Sequence, residues 1–537
     1  MEKEYVIIVH DPLDLPTLEE ELAASYGNQF VADREVTCQD PRPGSKYQSQ
    51  WMLTDEEAAT LSNDPRIKLV EEKFTGEFVP DTIQEGDFRR GWYQPGEPQF
   101  VNYALRRVND AVNEYGGNRT PRNTANNGEP NIHYAGLDGT GVDIVIVDSG
   151  VDHHHPDLFD AEGNTRLQQI DWTAITGLSG HSPLFYEDTN GHGTSCASVS
   201  AGIVHGFAKN AHIYSIPILG NNAAQSFGRI ADMIRLWHNR KNDPGDAIYT
   251  GRPTIVNMSF SYGEFSVNYD DIIGGNFRGQ EWERGDLSDD EMARRYGLPV
   301  SGSSFFNIMR IGSTAINEDM DELASIDGIH VFHSSGNTTQ KCDVPSGPDY
   351  NNVIDTNNST IFYNRPSAPY STNAFIIGNI EHMGVYGPGR DEDRIARCGA
   401  GPATHWYAPG NGTMSARSSG ASTSGATRYQ DSTQFFQRYF SGTSSASPIS
   451  CGVAALHLQA EPTISSQGLL DRMIEDTKKD VIHDEIENPG GDPALQNGLT
   501  LGSIAGGHNR FLFNRFNKPS LSVSGDFTGN IKGLSIE

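Results

Sequence analysis

Apolar residues fall into two rhythms along this chain. Tyr5-Val6-Ile7-Ile8-Val9 is a β-branched run of the kind that forms a strand. Residues 15–26 carry apolar positions at helical spacing, and Leu53-Thr54-Asp55-Glu56-Glu57 opens a second helix. Thr54 can cap that helix, and its acidic first turn suits the helix dipole. A middle strand is predicted over 29–36 and a last one over 67–72. Residues 1–80 thus read as a small α+β unit. Residues 81–135 are rich in Gly, Pro, Asn and Arg and read as a linker and entry segment. From 136 to 475 strands alternate with helices. The run 142–147 is apolar almost throughout, as in a parallel strand covered on both faces, and 255–258 and 329–332 are alike. The expected fold is α/β, a doubly wound, mostly parallel sheet flanked by helices. An amphipathic helix is predicted over 465–476, and 476–537 reads as a C-terminal extension with a strand-like Arg510-Phe511-Leu512-Phe513. Gly, Ser and Thr crowd 415–427, which predicts a mobile loop.

Charge narrows the field. Seventy acidic residues against 40 basic ones give a net charge of −30 over 537 residues. Such a surface repels phosphate backbones, and the basic clusters, Arg106-Arg107 and Arg294-Arg295, are short, so no nucleic-acid partner is expected. No run of 18 apolar residues is present, so no membrane partner is expected either. The N-terminal MEKEYVIIVH lacks a basic segment followed by a long apolar one, which points to cytoplasmic synthesis; release or assembly into a particle stays open. Five cysteines at irregular spacing argue against a complete disulfide framework.

Three segments carry chemistry. Val145-Ile146-Val147-Asp148-Ser149-Gly150 ends an apolar strand in a carboxylate and a turn, which places Asp148 at the carboxyl edge of the sheet. Asn190-Gly191-His192-Gly193-Thr194-Ser195-Cys196 sets an imidazole between two glycines ahead of small residues that suit a closely packed helix. Ser441-Gly442-Thr443-Ser444-Ser445-Ala446-Ser447-Pro448 leads a glycine loop into an apolar helix. Ser444 there is either an N-cap or a nucleophile facing backbone N–H groups. The run His153-His154-His155 reads as loop.

Taken together, and in this order, the three segments resemble the signatures of the subtilisin-like serine proteases. The resemblance implies a triad of Asp148, His192 and Ser444, with Asn337 of Ser334-Ser335-Gly336-Asn337 as oxyanion donor. Asn257-Met258-Ser259-Phe260-Ser261 resembles the family's substrate-pairing strand, so Ser259, Phe260, Ser261, Ser334, Ser335 and Gly336 are the implied substrate-binding residues. Serine stands at 261, where the family usually has glycine, which would narrow the groove. Tyr407-Ala408-Pro409-Gly410 matches a further family segment. Cys196 and the short run 201–208 resemble the proteinase K-like members.

Residues 1–80 resemble the inhibitor-like propeptides of this family, which implies a self-inhibited zymogen cut between Lys73 and about Pro95. The implied activity is a serine endopeptidase acting on proteins or peptides, with its own N-terminal unit as inhibitor. The chemistry needs no cofactor; structural calcium stays open, with no metal ligands assigned, although Asp157 stands where the family often has an acidic residue. Two insertions, near 262–314 and 338–370, are expected over or beside the groove. The alternative is a dormant subtilisin-like module serving as a structural or binding component, for example of a virus particle.

Overall fold

In the computed structural model the described residues are 2–23, 36–40, 45–73, 79–80, 103–109, 137–220, 226–300, 303–382, 393–411, 413–429, 432–485 and 497–516. The central strands are apolar throughout because helices cover both of their faces. Their order is His212–Pro217, Asp143–Asp148, Thr254–Met258, Ile329–Ser334, Phe375–His382, Trp406–Pro409 and Arg510–Phe511, each parallel to the next. Every residue of Asp143–Asp148, Thr254–Met258 and Ile329–Ser334 is buried. The α/β, mostly parallel sheet expected from the sequence is therefore present. Lys478–Lys479 adds antiparallel to Arg510–Phe511, so part of the segment read as an extension builds the edge of this sheet. Residues 517–537 lie outside the described residues.

The N-terminal unit shows why its first strand is apolar at every position. Tyr5, Ile7 and Val9 face the unit's own core with Leu18, Trp51 and Leu61. Val6 and Ile8 point the other way, onto Ala315 of the helix Thr314–Ala324. The antiparallel strand order is Cys38–Asp40, Gln48–Leu53, Lys3–Val9, Ile67–Glu72. The middle strand expected over 29–36 falls largely outside the described residues, and Val36 is not in a strand. Gln48–Leu53 carries that role instead. Its polar start hid it in the sequence: Gln48 is buried only because its amide donates to Asp319 Oδ1 of the same helix at 2.7 Å. Thr54 caps Asp55–Leu61 in a reciprocal capping box with Glu57.

The two insertions build one lobe. Ile272–Phe277 of the first pairs antiparallel with Val353–Thr356 of the second. Tyr269, Trp282, Met292, Phe306, Ile354 and Tyr363 share its core, and the Trp282 and Tyr296 rings stack at 3.9 Å. The first insertion also carries the helix Asp289–Tyr296, capped by Ser288. Of the segment 415–427, residues 418–426 are turns and bends as expected of a loop, but 415–417 depart from that expectation. Thr413–Arg417 is a buried strand against the helix His192–Ala201: Ala416 N–H donates to Ser198 Oγ at 2.8 Å, and Ser195 Oγ donates to Ala416 O at 3.0 Å. Small side chains on both elements let their backbones approach, so the bias that reads as looseness here serves close packing.

A buried ion pair ties the helix Tyr103–Asn109 to the far edge of the domain. Arg107 Nε lies 2.8 Å from Asp393 Oδ2, with side chains 2% and 0% exposed. Asp393→Ala leaves the guanidinium without its carboxylate and should cost about 3–5 kcal/mol, read as a lower denaturant midpoint. An unchanged midpoint would contradict that account.

Candidate active site

Asp148 ends its strand at the carboxyl edge of the sheet, and the helix His192–Ala201 starts beside it. The approach is close because residue 193 is glycine. A Cβ there would lie 2.1 Å from the Gly150 carbonyl oxygen and 3.1 Å from Asp148 Cβ. His192 Nδ1 consequently meets Asp148 Oδ1 at 2.8 Å and Oδ2 at 2.9 Å. That contact places the ring proton on Nδ1 and leaves Nε2 as the acceptor; Nε2 has no hydrogen-bond partner in this conformation. The ring is braced edge-on by Phe440, 5.2 Å away between centroids.

Ser444 lies in the first turn of the helix Thr443–Ala460. Gly442, with φ +89°, takes the cap position without a side-chain bond, so Ser444 is not the N-cap. Gly442 N–H donates to Gly410 O at 2.7 Å, which is what the Ala408-Pro409-Gly410 segment contributes. Ser444 Oγ donates to Ser259 O at 3.4 Å, and Ser259 Oγ donates back to Ser444 O at 3.3 Å. The serine hydroxyl is thus turned toward Ser259, and contacts between a nucleophile and its base are commonly loose before substrate binds.

Asn337 follows the strand Ile329–Ser334. Its Oδ1 accepts from Thr443 N–H at 3.0 Å and from Thr443 Oγ1 at 3.1 Å. Those two bonds fix the orientation of the amide, and its buried Nδ2 is left without an acceptor. Gly336, at φ +87°, packs against Met309 of the insertion lobe, whose Cγ would lie 2.8 Å from a Cβ at that position. Ser334 and Ser335 are buried, and Ser335 N–H donates to Ile377 O at 3.0 Å. Ser259, Phe260 and Ser261 are all buried. The Phe260 ring packs against His333, which leaves its backbone as the part that can serve a substrate. That backbone is paired: Val79 aligns with Ser261 and Pro80 with Phe260 in an antiparallel ladder. Ser261 Oγ accepts from Gly263 N–H at 3.3 Å, so its hydroxyl folds into the turn.

Asp188 is a residue the sequence did not single out. Its buried carboxylate accepts from Ser149 Oγ, from the N–H groups of Asn190, Gly191 and Thr194, and from Thr194 Oγ1, at 2.7–3.1 Å. Burial pushes its pKa up despite those donors. It caps a helix whose cap residue is glycine, so it holds the His192 turn against the Asp148 turn. An acidic residue three positions before Gly191 was the available signal. Asp157 is consumed by protein donors: Ser198 Oγ at 2.6 Å, Val204 N–H at 2.8 Å and Tyr429 OH at 3.2 Å. That donor set does not suit an acidic cation ligand. His155 caps the turn Pro156–Leu158 and meets Phe436 O at 2.9 Å, consistent with a loop role.

Cys196 lies beneath the imidazole, its sulfur 3.9 Å from His192 Nδ1 and 3.5 Å from Asp148 Oδ2. Burial first, and then the Asp148 charge, push its thiol well above the ordinary range. Asp148, His192 and Cys196 also form the one group of potential metal ligands that converges among the described residues. A thiol held protonated is a poor ligand, and the other two already pair with each other.

Residues 139–499 match the model of the subtilase family, peptidase S8. The chain belongs to the subtilase family. Subtilisin-like protease PopC of Myxococcus xanthus (strain DK1622) is 30% identical over 139 residues, 25% of this chain and 28% of that protein. Subtilisin-like serine protease Pen ch 18 of Penicillium rubens is 32% identical over 136 residues, 24% of each. This subtilase thus aligns with about a quarter of the length of those relatives. Among solved structures, fervidolysin from Fervidobacterium pennivorans is similar at 17% identity and a TM-score of 0.46, over 93% of this chain and 60% of that one. A cold adapted subtilisin-like serine proteinase is similar at 16% identity and a TM-score of 0.43, over 77% and 99%.

Four of the five cysteines are buried and Cys38 is partly exposed. Iodoacetamide at pH 8 should therefore alkylate at most Cys38 in the native subtilase and all five thiols after denaturation. Native alkylation at Cys196, read by peptide mapping, would contradict the protected thiol.

Proposed function

We propose that this subtilase is a serine endopeptidase made as a self-inhibited zymogen. The carrying observation is that four groups meet at one sheet edge: the Asp148–His192 pair, Ser444 beside it, and an oriented Asn337 amide whose N–H groups have no acceptor. In this reading His192 Nε2 takes the Ser444 proton as the hydroxyl attacks a peptide carbonyl. It then gives that proton to the leaving amine. Asp148 holds the Nδ1 proton and stabilises the imidazolium. Asn337 Nδ2 and the Ser444 N–H, in the first turn of its helix, are the donors for the tetrahedral oxygen. Loss of one such donor costs about 3–4 kcal/mol, a figure established in subtilisin itself.

The zymogen half of the proposal rests on two contacts. Val79–Pro80 lies antiparallel on Phe260–Ser261, the mode by which an extended peptide adds to a sheet edge. The N-terminal unit also grips the helix Thr314–Ala324. Glu71 Oε1 accepts from Ala315 N–H at the helix start at 2.6 Å, and Lys46 N–H and Lys68 Nζ meet Glu322 and Glu318 at 3.0 and 2.5 Å. Protein or peptide substrates would take the place of Val79–Pro80.

Intact mass with a fluorophosphonate probe tests the activity. One adduct, mapped to Ser444 and absent in Ser444→Ala, is expected from processed protein; no adduct under any condition would favour the dormant module. Asn337→Ala should lower kcat by about 10²–10³ with KM little changed. A rise in KM alone would contradict the oxyanion role.

A further inference from the structure

We infer that Met309, supplied by the first insertion, closes off the space for the side chain next to the attacked carbonyl, so that this chain cuts after small residues such as alanine, serine and glycine. The inference rests on the endopeptidase reading above and adds the substrate class. Its basis is a cleft between two strand ends. Thr254–Met258 and Ile329–Ser334 run as parallel neighbours until Met258 stands opposite His333, where their ladder ends. Beyond that point the backbones take other partners. Ser335 N–H donates to Ile377 O at 3.0 Å, and Phe260–Ser261 pairs with Val79–Pro80. The segments 259–261 and 334–336 thus become two walls. Both reach the reaction centre: Ser259 O lies 3.4 Å from Ser444 Oγ, and Gly336 adjoins Asn337. A peptide carbonyl carbon held by Ser444 Oγ, with its oxygen on Asn337 Nδ2, sits at the mouth of that cleft. The side chain beside it enters between the walls.

Met309 spans the cleft. It stands opposite Glu264 in the ladder of Glu264–Asn268 with Phe305–Met309, and Arg310 N–H donates to Gly263 O at 2.9 Å. Those contacts fix it to the continuation of the first wall. Its side chain lies on the second: a Cβ on Gly336 would lie 2.8 Å from Met309 Cγ and 3.1 Å from its Sδ and Cε. Glycine at 336 is what admits the thioether so closely. Met309 N–H donates to Oε1 of the buried Gln340 at 2.7 Å, and Gln340 Nε2 donates to Arg365 O at 2.7 Å, so the second insertion holds the same backbone. Ser261, expected from the sequence to narrow the groove, turns its hydroxyl to Gly263 N–H instead. A long or aromatic side chain entering between the walls would have to displace a thioether that is 3% exposed and packed on backbone. A small one would not. A misfit of one methylene in such a pocket changes kcat/KM by about 10–200-fold.

The test uses the full chain, incubated until a fluorophosphonate labels Ser444 in a sample of it. The remainder receives a peptide mixture in which every residue type occurs at each position, and mass spectrometry reads the residue before each cut. The wild-type chain should favour alanine, serine and glycine over phenylalanine and leucine by about tenfold or more. Met309→Ala should lower that ratio about tenfold, and Met309→Val, which removes less of the side chain, should shift it the same way by less. A loosened lobe or Asn337 amide slows all cuts alike and leaves the ratio unmoved, so an unmoved ratio in both variants would overturn the inference. A wild-type chain that favours phenylalanine or leucine would overturn it whatever the variants do. Either result leaves the protease reading standing. A wild-type chain that cuts no peptide, labelled or not, would overturn the endopeptidase reading, and this inference with it.

Discussion

The arrangement hangs on how near a helix can come to a strand end. Gly193 lets the first turn of His192–Ala201 touch the Asp148–Gly150 turn, and no side chain fits between them. From that contact follow the 2.8 Å pairing of His192 with Asp148, the burial of Cys196 below them and the need for Asp188. With glycine at the cap, the helix has no side chain of its own to satisfy its first N–H groups. A carboxylate from the preceding loop takes the Thr194 N–H, and it also holds Ser149 on the strand side, whose hydroxyl accepts the Gly193 N–H. One buried acid therefore locks together the two turns that carry His192 and Asp148.

The N-terminal unit follows a second constraint, a strand apolar on both faces. Lys3–Val9 serves two cores, its own and that of the helix Thr314–Ala324. Detached, the unit would present Val6, Ile8 and Leu69 to water and leave Gln48 without Asp319. Each unit thus completes the other, and Val79–Pro80 follows as a strand on Phe260–Ser261.

Most of the site was legible because its residues sit in short contiguous segments whose chemistry is local: a carboxylate after an apolar strand, a histidine between glycines, a serine entering a helix. The parallel sheet was legible for the same reason, since strands covered on both faces leave long apolar runs. Gln48–Leu53 was not, because Gln48 at its start is buried against a partner 271 positions away. Thr413–Arg417 was misread because small residues suit a loop and a tight packing equally, and only the partner helix decides. Asp188 escaped because a loop aspartate carries no periodic signal. The insertions could be located by spacing alone, but nothing local said that they join.

That joining has a consequence for heat. The lobe closes its core only when strands from both insertions meet, one segment lying before the Asn337 strand and the other after it. It is fastened to the body of the domain where Met309 rests on Gly336. Gly336 is the immediate neighbour of Asn337. Loosening the lobe would unsettle that amide first, while the parallel sheet stays whole. Warming would then loosen the Asn337 amide before the molecule melts, and cooling would restore it without refolding.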